Sequence, residues 1–355
     1  MTEISAVQSA STAATRTNHP YAPSLFDRFT DLVDNLSIPG WLFYAVFAAI
    51  LVGIQFLIQW NGGTTTVSAF PLAYIITIAY GLGLMHHLDT AAEQSLKRFR
   101  PLMTISDAEY DELRYRLTTL PALPTLIAAA IGAFDGVIVI NWIPDLIKVQ
   151  ELHFADNVLS LNFNNVISLI VWAIVGVLVY HSLHQLRIVQ KIYNRHPNVD
   201  LYNLRPLYAF STLSAQTAVG IALIVYLWYL FAPLLFNIGL AGLLFFTGLA
   251  LLTFVLPLWG ARRLLVEEKD RRLTENGKRQ RSAIAELHRR VDENELMDMD
   301  NLNKAIAGLE SEQTALNRIS TWPWKPETPR AVSAALLFPI IIWLMQGLLK
   351  RILES

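Results

Sequence analysis

Seven stretches of this chain, at 41–60, 67–88, 121–143, 163–184, 211–234, 238–259 and 331–349, are almost continuously apolar. About 20 such residues in a row make a helix long enough to cross a bilayer. No other feature narrows the possible folds as much, because lipid requires every backbone polar group to be satisfied within its own segment, and a helix does that. Composition agrees. Only 16% of the residues are charged, against about 25% in a typical soluble domain. The expected fold is all-α: a polytopic membrane protein with seven transmembrane helices and a cytoplasmic helical hairpin before the last span.

Charge placement predicts the orientation. All but three of the 28 Lys and Arg residues fall in the N-terminal segment or in 89–120, 185–210 and 260–330, on one side of the alternating spans. The other side holds Lys148, Lys350 and Arg351. Basic loops stay inside, so the N-terminus is expected in the cytoplasm, the C-terminus outside, and the location is a plasma membrane of the bacterial inner-membrane type. Trp60, Trp142, Trp228 and Tyr229 fall near the outer ends of their spans, where an aromatic belt belongs.

The segments divide accordingly. Residues 1–23 read as a disordered tail: they are small and polar, and no basic region leads into an apolar run as in a signal peptide. Residues 24–40 hold an interfacial amphipathic helix, "SLFDRFTDLVDNL", with Ser24 as its cap. Its apolar face is Leu25, Phe26, Phe29, Leu32, Val33 and Leu36, and its polar face is Asp27, Arg28, Asp31 and Asp34. Residues 41–259 carry spans one to six. In the loop after the second, "ISDAEYDELRYRL" starts a helix with a Ser106–Glu109 capping box. Residues 260–330 form the cytoplasmic helical segment. Leu302, Ile306, Leu309, Gln313 and Leu316 fit a heptad, and the acidic "DENELMDMD" (292–300) marks a turn between antiparallel helices. "STWPWKPETPR" (320–330) holds three prolines and cannot be helix throughout, and Trp322 and Trp324 are expected to seat it at the headgroups before the last span. Residues 331–355 are the seventh span and an external C-terminus.

Two sets of candidate site residues stand out. "YGLGLMHHLDTAAE" (80–93) and "IVWAIVGVLVYHSLHQLR" (170–187) both end at the cytoplasmic boundary, so His86, Asp89, His181 and His184 share a depth. Two imidazoles and a carboxylate make a zinc set. The blander reading is that imidazole, part apolar and part polar, suits a headgroup boundary. The second set is the intramembrane polar residues Asp135, Gln216 and Gln346. Asp135 is the sharpest, because a carboxylate in hydrocarbon costs about 3 kcal/mol. Gly132 and Gly136 beside it allow a close helix approach.

The chain has no cysteine, which removes disulfides and thiolate metal sites. There is no phosphate-binding GxxxxGK[ST] loop, no GxGxxG and no GxSxG elbow, so no cofactor is expected. Nothing suggests nucleic acid. The expected partners are the lipid bilayer and further copies of the chain in a homo-oligomer. The identity of any small-molecule or ion ligand is not written in the sequence.

Three classes of membrane protein can be compared. Retinal proteins carry a lysine in the last span, and 331–349 has none. Ceramidase-like and adiponectin-receptor-like hydrolases carry HxxxH there, and "AVSAALLFPIIIWLMQGLL" has no histidine. The layout is similar to that of insect chemoreceptor-type channels, with the N-terminus inside and long cytoplasmic helices ahead of an uncharged last span containing "IIIWLMQ". The Thr-Tyr that opens that family's C-terminal pattern is missing. The leading expectation is an oligomeric channel- or receptor-like protein. The alternatives are a small-solute transporter using Asp135 and a metal-dependent membrane hydrolase using His86, Asp89, His181 and His184.

Overall fold

The computed structural model describes residues 20–61, 69–147, 158–195, 200–231, 239–294, 297, 299–324 and 327–354. The expected N-terminal tail up to residue 19, and the link 232–238 between the fifth and sixth expected spans, lie outside the described residues. Ten α-helices account for nearly all the rest: α1 Leu25–Asp34, α2 Gly40–Asn61, α3 Ala69–Phe99, α4 Asp107–Thr118, α5 Ala122–Ile147, α6 Val158–Arg195, α7 Ala209–Phe231, α8 Gly239–Asp292, α9 Met299–Arg318 and α10 Glu327–Glu354.

Five of them, α2, α3, α6, α7 and α8, contain stretches long and apolar enough to cross a membrane. The other two expected spans fall on α5 and α10. The described apolar stretch of α5, Ala122–Ile138, is shorter, and several side chains of α10 are outside the described set. The protein is thus all-helical, with five membrane-length apolar helices among its described residues. Exposed apolar side chains girdle the bundle, for example Leu42, Val46, Ile50, Ile54 and Leu57 on α2 and Leu251, Leu252 and Leu256 on α8. Water does not tolerate a face of that size, whereas lipid does.

The helix α3 is central and packs against α2, α4, α6 and α7. Its second half runs into a core at the end of the bundle where the basic loops gather, here termed the basic end. There Phe99, Tyr193 and Phe210 meet ring to ring at 5.4–5.7 Å. The Tyr193 hydroxyl donates to Leu207 O at 2.9 Å, so the apolar 200–210 segment is anchored in this core, with Leu201 and Leu207 buried.

The most extensive packing joins α5 and α6. Small residues account for it. A Cβ on Gly132 would strike the Trp172 carbonyl, one on Gly176 would strike the Ala128 carbonyl, and one on Gly136 would lie 2.7 Å from the Trp172 ring. The two backbones approach as closely as a small-xxx-small seam permits.

Capping fixes where the short helices begin. Ser24 and Asp27 form a capping box at α1, and Ser106 and Glu109 form one at α4. At the other extreme, α8 runs unbroken for 54 residues, about 80 Å at 1.5 Å per residue. It ends at Asp292. Asn294, with φ 61°, turns the chain, a left-handed conformation that Asn accepts better than most residues. The helix α9 then returns along α8. Lys269 Nζ donates to Asn317 O and Ile319 O, and seven residues further along α8, Asn276 Nδ2 donates to Leu309 O and Glu312 Oε2.

Two sequence expectations need correction. Gln313 does not occupy the seam: it is exposed, and Glu312 takes the inward position. The seam steps from Leu309 by three and then four to Leu316, which lets Glu312 accept from Asn276 at 2.8 Å. Asp27, read as part of a solvated face, is 5% exposed. Its Oδ2 accepts from Ser24 N–H, the Ser24 hydroxyl and Leu120 N–H. The buried face of α1 is therefore Phe26, Asp27, Thr30 and Val33, while Leu25, Leu32 and Leu36 are exposed.

Candidate functional site

Polar side chains buried between α2, α3 and α6 lie in two layers. The layer at the basic end holds the histidines. The His181 ring is completely buried on α6, and its Nε2 lies 2.8 Å from Asp89 Oδ1 on α3. Gln185, one turn on from His181, donates to the same oxygen at 2.9 Å. Phe26 meets the His181 ring edge-on at 6.4 Å. His181 Nδ1 is buried without a partner.

His86 faces the other way. Its Nε2 is 2.9 Å from Asp34 Oδ1 on α1, and its Nδ1 is 3.1 Å from the Tyr44 hydroxyl on α2. One tautomer satisfies both contacts: Nε2–H donates to the carboxylate and Nδ1 accepts from the phenol. His184 Nε2 donates to Arg116 O at 2.9 Å, so His184 joins α6 to α4. His87 is exposed.

Of the four proposed metal ligands, Asp89 and His181 meet directly. His86 and His184 each use a ring nitrogen on a different acceptor. Among the described residues, no group of three or more His, Asp or Glu side chains converges as a metal site would require. The arrangement fastens helices together: α3 to α1 and α2 through His86, α6 to α3 through His181, and α6 to α4 through His184.

A clasp closes this end. Tyr115 donates to Tyr21 O, and Tyr21 donates to Thr119 O, both at 2.8 Å. Backbone bonds pair Ser24 with Leu120 and Ala22 with Ala122. Asp27 sits inside the clasp. Burial pushes its carboxyl up to about 6, and Asp89's charge adds to the rise, against the lowering effect of the hydrogen bonds from Ser24 and Leu120. Burial likewise raises the phenol of Tyr21.

The second layer lies roughly 16–20 Å away. Gln55 is 11 residues beyond Tyr44 on α2, Tyr74 is 12 from His86 on α3, and Ser168 is 13 from His181 on α6, at 1.5 Å per residue. The α2, α3 and α6 helices pack together here, with Leu51 and Val52 against Tyr74, Ile75, Ile167 and Val171. Gln55 is completely buried, and both its amide oxygen and its amide nitrogen lack a hydrogen-bond partner. Gln59 on α2 and Asn164 and Ser168 on α6 are also buried.

The distribution along α2 is inverted. Its buried side chains are Tyr44, Gln55 and Gln59, one stripe at helical spacing. Its exposed face is Leu, Val and Ile.

Of the intramembrane polar candidates, Asp135 lies beside the glycine face of α5 and is exposed, flanked by exposed Ile131 and Phe134. Gln216 is half-buried on α7, and its Oε1 has no hydrogen-bond partner. The Gln346 side chain lies outside the described residues. Sequence reasoning did not pick out Gln185, Asp34 or Tyr44 as site residues. Gln185 had a signal, four residues from His181 on one helix face. Asp34 had none, because its contact depends on how α1 docks. Comparison with protein-family models, with curated proteins and with solved structures gave no match.

Proposed function

We infer that this chain is an oligomeric, channel- or receptor-like membrane protein, with a polar route along the seam between α2, α3 and α6. The observation that carries this reading is α2, whose fully buried side chains are Tyr44, Gln55 and Gln59 while many of its apolar side chains are exposed. A buried amide with neither half bonded costs about 1–3 kcal/mol per orphaned group. A water or a polar solute in the seam removes that penalty. Between the two polar layers lie Phe47, Ala48, Leu51, Ile75 and Ile78, an apolar stretch of the kind that gates by dewetting.

Asp135 favours the oligomer. A carboxylate on an apolar, outward face is costly in lipid, and a second copy packed on α5 relieves that cost. In this reading the basic end faces the cytoplasm, as the Lys and Arg distribution implies.

Reconstituted vesicles test the route. Wild-type protein should raise flux of a monovalent ion or a small neutral solute above that of empty vesicles. Gln55→Leu should abolish that flux while raising thermal stability, because the orphaned amide is gone. A wild type that passes nothing, or a Gln55→Leu variant that conducts normally, removes the proposal. The mass of the complex in mild detergent tests the oligomer separately.

A further inference from the structure

Where α8 leaves its apolar stretch, Trp259, Arg262, Arg263, Val266 and Glu267 line a shallow cleft. The Arg262 guanidinium lies 4.6 Å from the Trp322 ring centre and 5.6 Å from that of Trp259. Trp322 is fixed in turn, stacked on Trp324 at 4.4 Å, and Trp324 stacks on Phe254 at 5.3 Å. Arg262 makes no ion pair among the described residues, and its Nε is buried without a hydrogen-bond partner. Arg263 is engaged by Glu267 at 2.7 Å. Two guanidinium groups and one carboxylate leave the cleft with one net positive charge.

Directly along the helix from this charge, Leu252, Leu256 and Trp259 are exposed on the same face as Arg263, at offsets of 4, 7 and 11 residues from Leu252. A charged cleft thus continues into an apolar track, at the point where the helix passes from apolar to charged sequence. We propose that this cleft binds the phosphate of an anionic phospholipid, with an acyl chain along Leu252, Leu256 and Trp259. The Arg262 guanidinium, beside two indoles, carries paired donors suited to phosphate oxygens. The tryptophans occupy the headgroup level, where such rings concentrate. A zwitterionic lipid fits less well, because the cleft already carries excess positive charge. The site is independent of any conduction through the α2–α3–α6 seam.

Native mass spectrometry of the full chain in mild detergent tests this, with phosphatidylglycerol and phosphatidylcholine of the same acyl chains as probes. Wild type should retain phosphatidylglycerol about fivefold better, the order of effect of one basic contact. Arg262→Gln should remove the preference, while Lys278→Gln with Arg279→Gln, on exposed positions of the same helix, should keep it. Glu267→Gln frees Arg263 and should increase retention, a gain that misfolding cannot produce. Inorganic phosphate at equal concentration should displace little lipid. The proposal is overturned by equal retention of the two lipids, by an Arg262→Gln variant that behaves as wild type, by no gain in Glu267→Gln, or by ready displacement with free phosphate.

Discussion

His181 on α6 and Asp89 on α3 lie 2.8 Å apart, with the imidazole almost wholly enclosed and Gln185 donating to the same carboxylate oxygen. This is a buried pair whose partners depend on each other. Removing one member leaves the other desolvated and unmatched, at about 3–5 kcal/mol, whereas replacing both with apolar side chains is often neutral. Asp89→Leu should therefore lower the unfolding temperature in detergent markedly. The double variant Asp89→Leu, His181→Leu should recover much of the loss. If the double variant is as unstable as the two losses added together, the pair is not coupled.

Asp27 makes stability depend on pH. Its carboxyl is raised from an ordinary 3.8 to about 6 in the folded protein. The folded state therefore holds a proton that the unfolded state releases between these values. The resulting stabilisation is fully present below about 4 and is lost as pH rises through about 6, on the order of 3 kcal/mol in all. All three donors meet Oδ2, which leaves Oδ1 to carry the proton. Melting curves between pH 4 and pH 7 should show this slope in wild type and a weaker one in Asp27→Asn. An identical slope in both assigns the effect to other groups.

The glycines of the α5–α6 seam should tolerate nothing larger. Gly132→Ala and Gly176→Ala place a methyl against a facing carbonyl, and overpacking of this kind costs about 1–3 kcal/mol. Gly308 has open space around the same position, so Gly308→Ala should stabilise α9 by about 1 kcal/mol from helix propensity alone. Thermal melts of the three variants decide it. A seam variant as stable as wild type means the two backbones are not in contact.

The arm formed by α8 and α9 should lose specificity when Asn276 is replaced. Its Nδ2 reaches Leu309 O and Glu312, and its Oδ1 is buried without a hydrogen-bond partner. A polar core residue of this type fixes register at some expense in stability. Asn276→Leu should stabilise the arm yet broaden its register. Because the chain has no cysteine, cysteine pairs at 269 and 317 and at neighbouring offsets can report this. Wild type should crosslink in one register and the variant in several. A variant with one register and lower stability contradicts the role.

Much of the fold was legible because it depends on local sequence. Apolar length marks the helices, and Ser24 and Ser106 mark where two of them start. The partners of the histidines were not legible. His86 and Asp89 share a helix and are three residues apart, yet one turns to Asp34 and Tyr44 and the other to His181. That choice is made by the packing of α1, α2 and α6 around α3. Asp27 was misjudged for a related reason. Its side chain caps its own helix, which the sequence signals, but the same oxygen also reaches Leu120 N–H, 93 residues away. Gln313 was misplaced by one position because a short heptad leaves two phases nearly equal, and the hydrogen bond from Asn276 selects the one containing Glu312.

The unbroken α8 has a mechanical consequence. From Arg262 to Asp292 it is a rod of about 45 Å, at 1.5 Å per residue, clamped at one end by α6 and α7 and braced along its length by α9. Such a rod amplifies angle into distance. A change of about 5° in the tilt of its membrane portion, within the range that transmembrane helices sample, moves the Asp292 end by roughly 4 Å. A tilt of that size reaches the far end of the arm as a displacement comparable to a side chain's width, unless Pro257 inside α8 absorbs it as a kink.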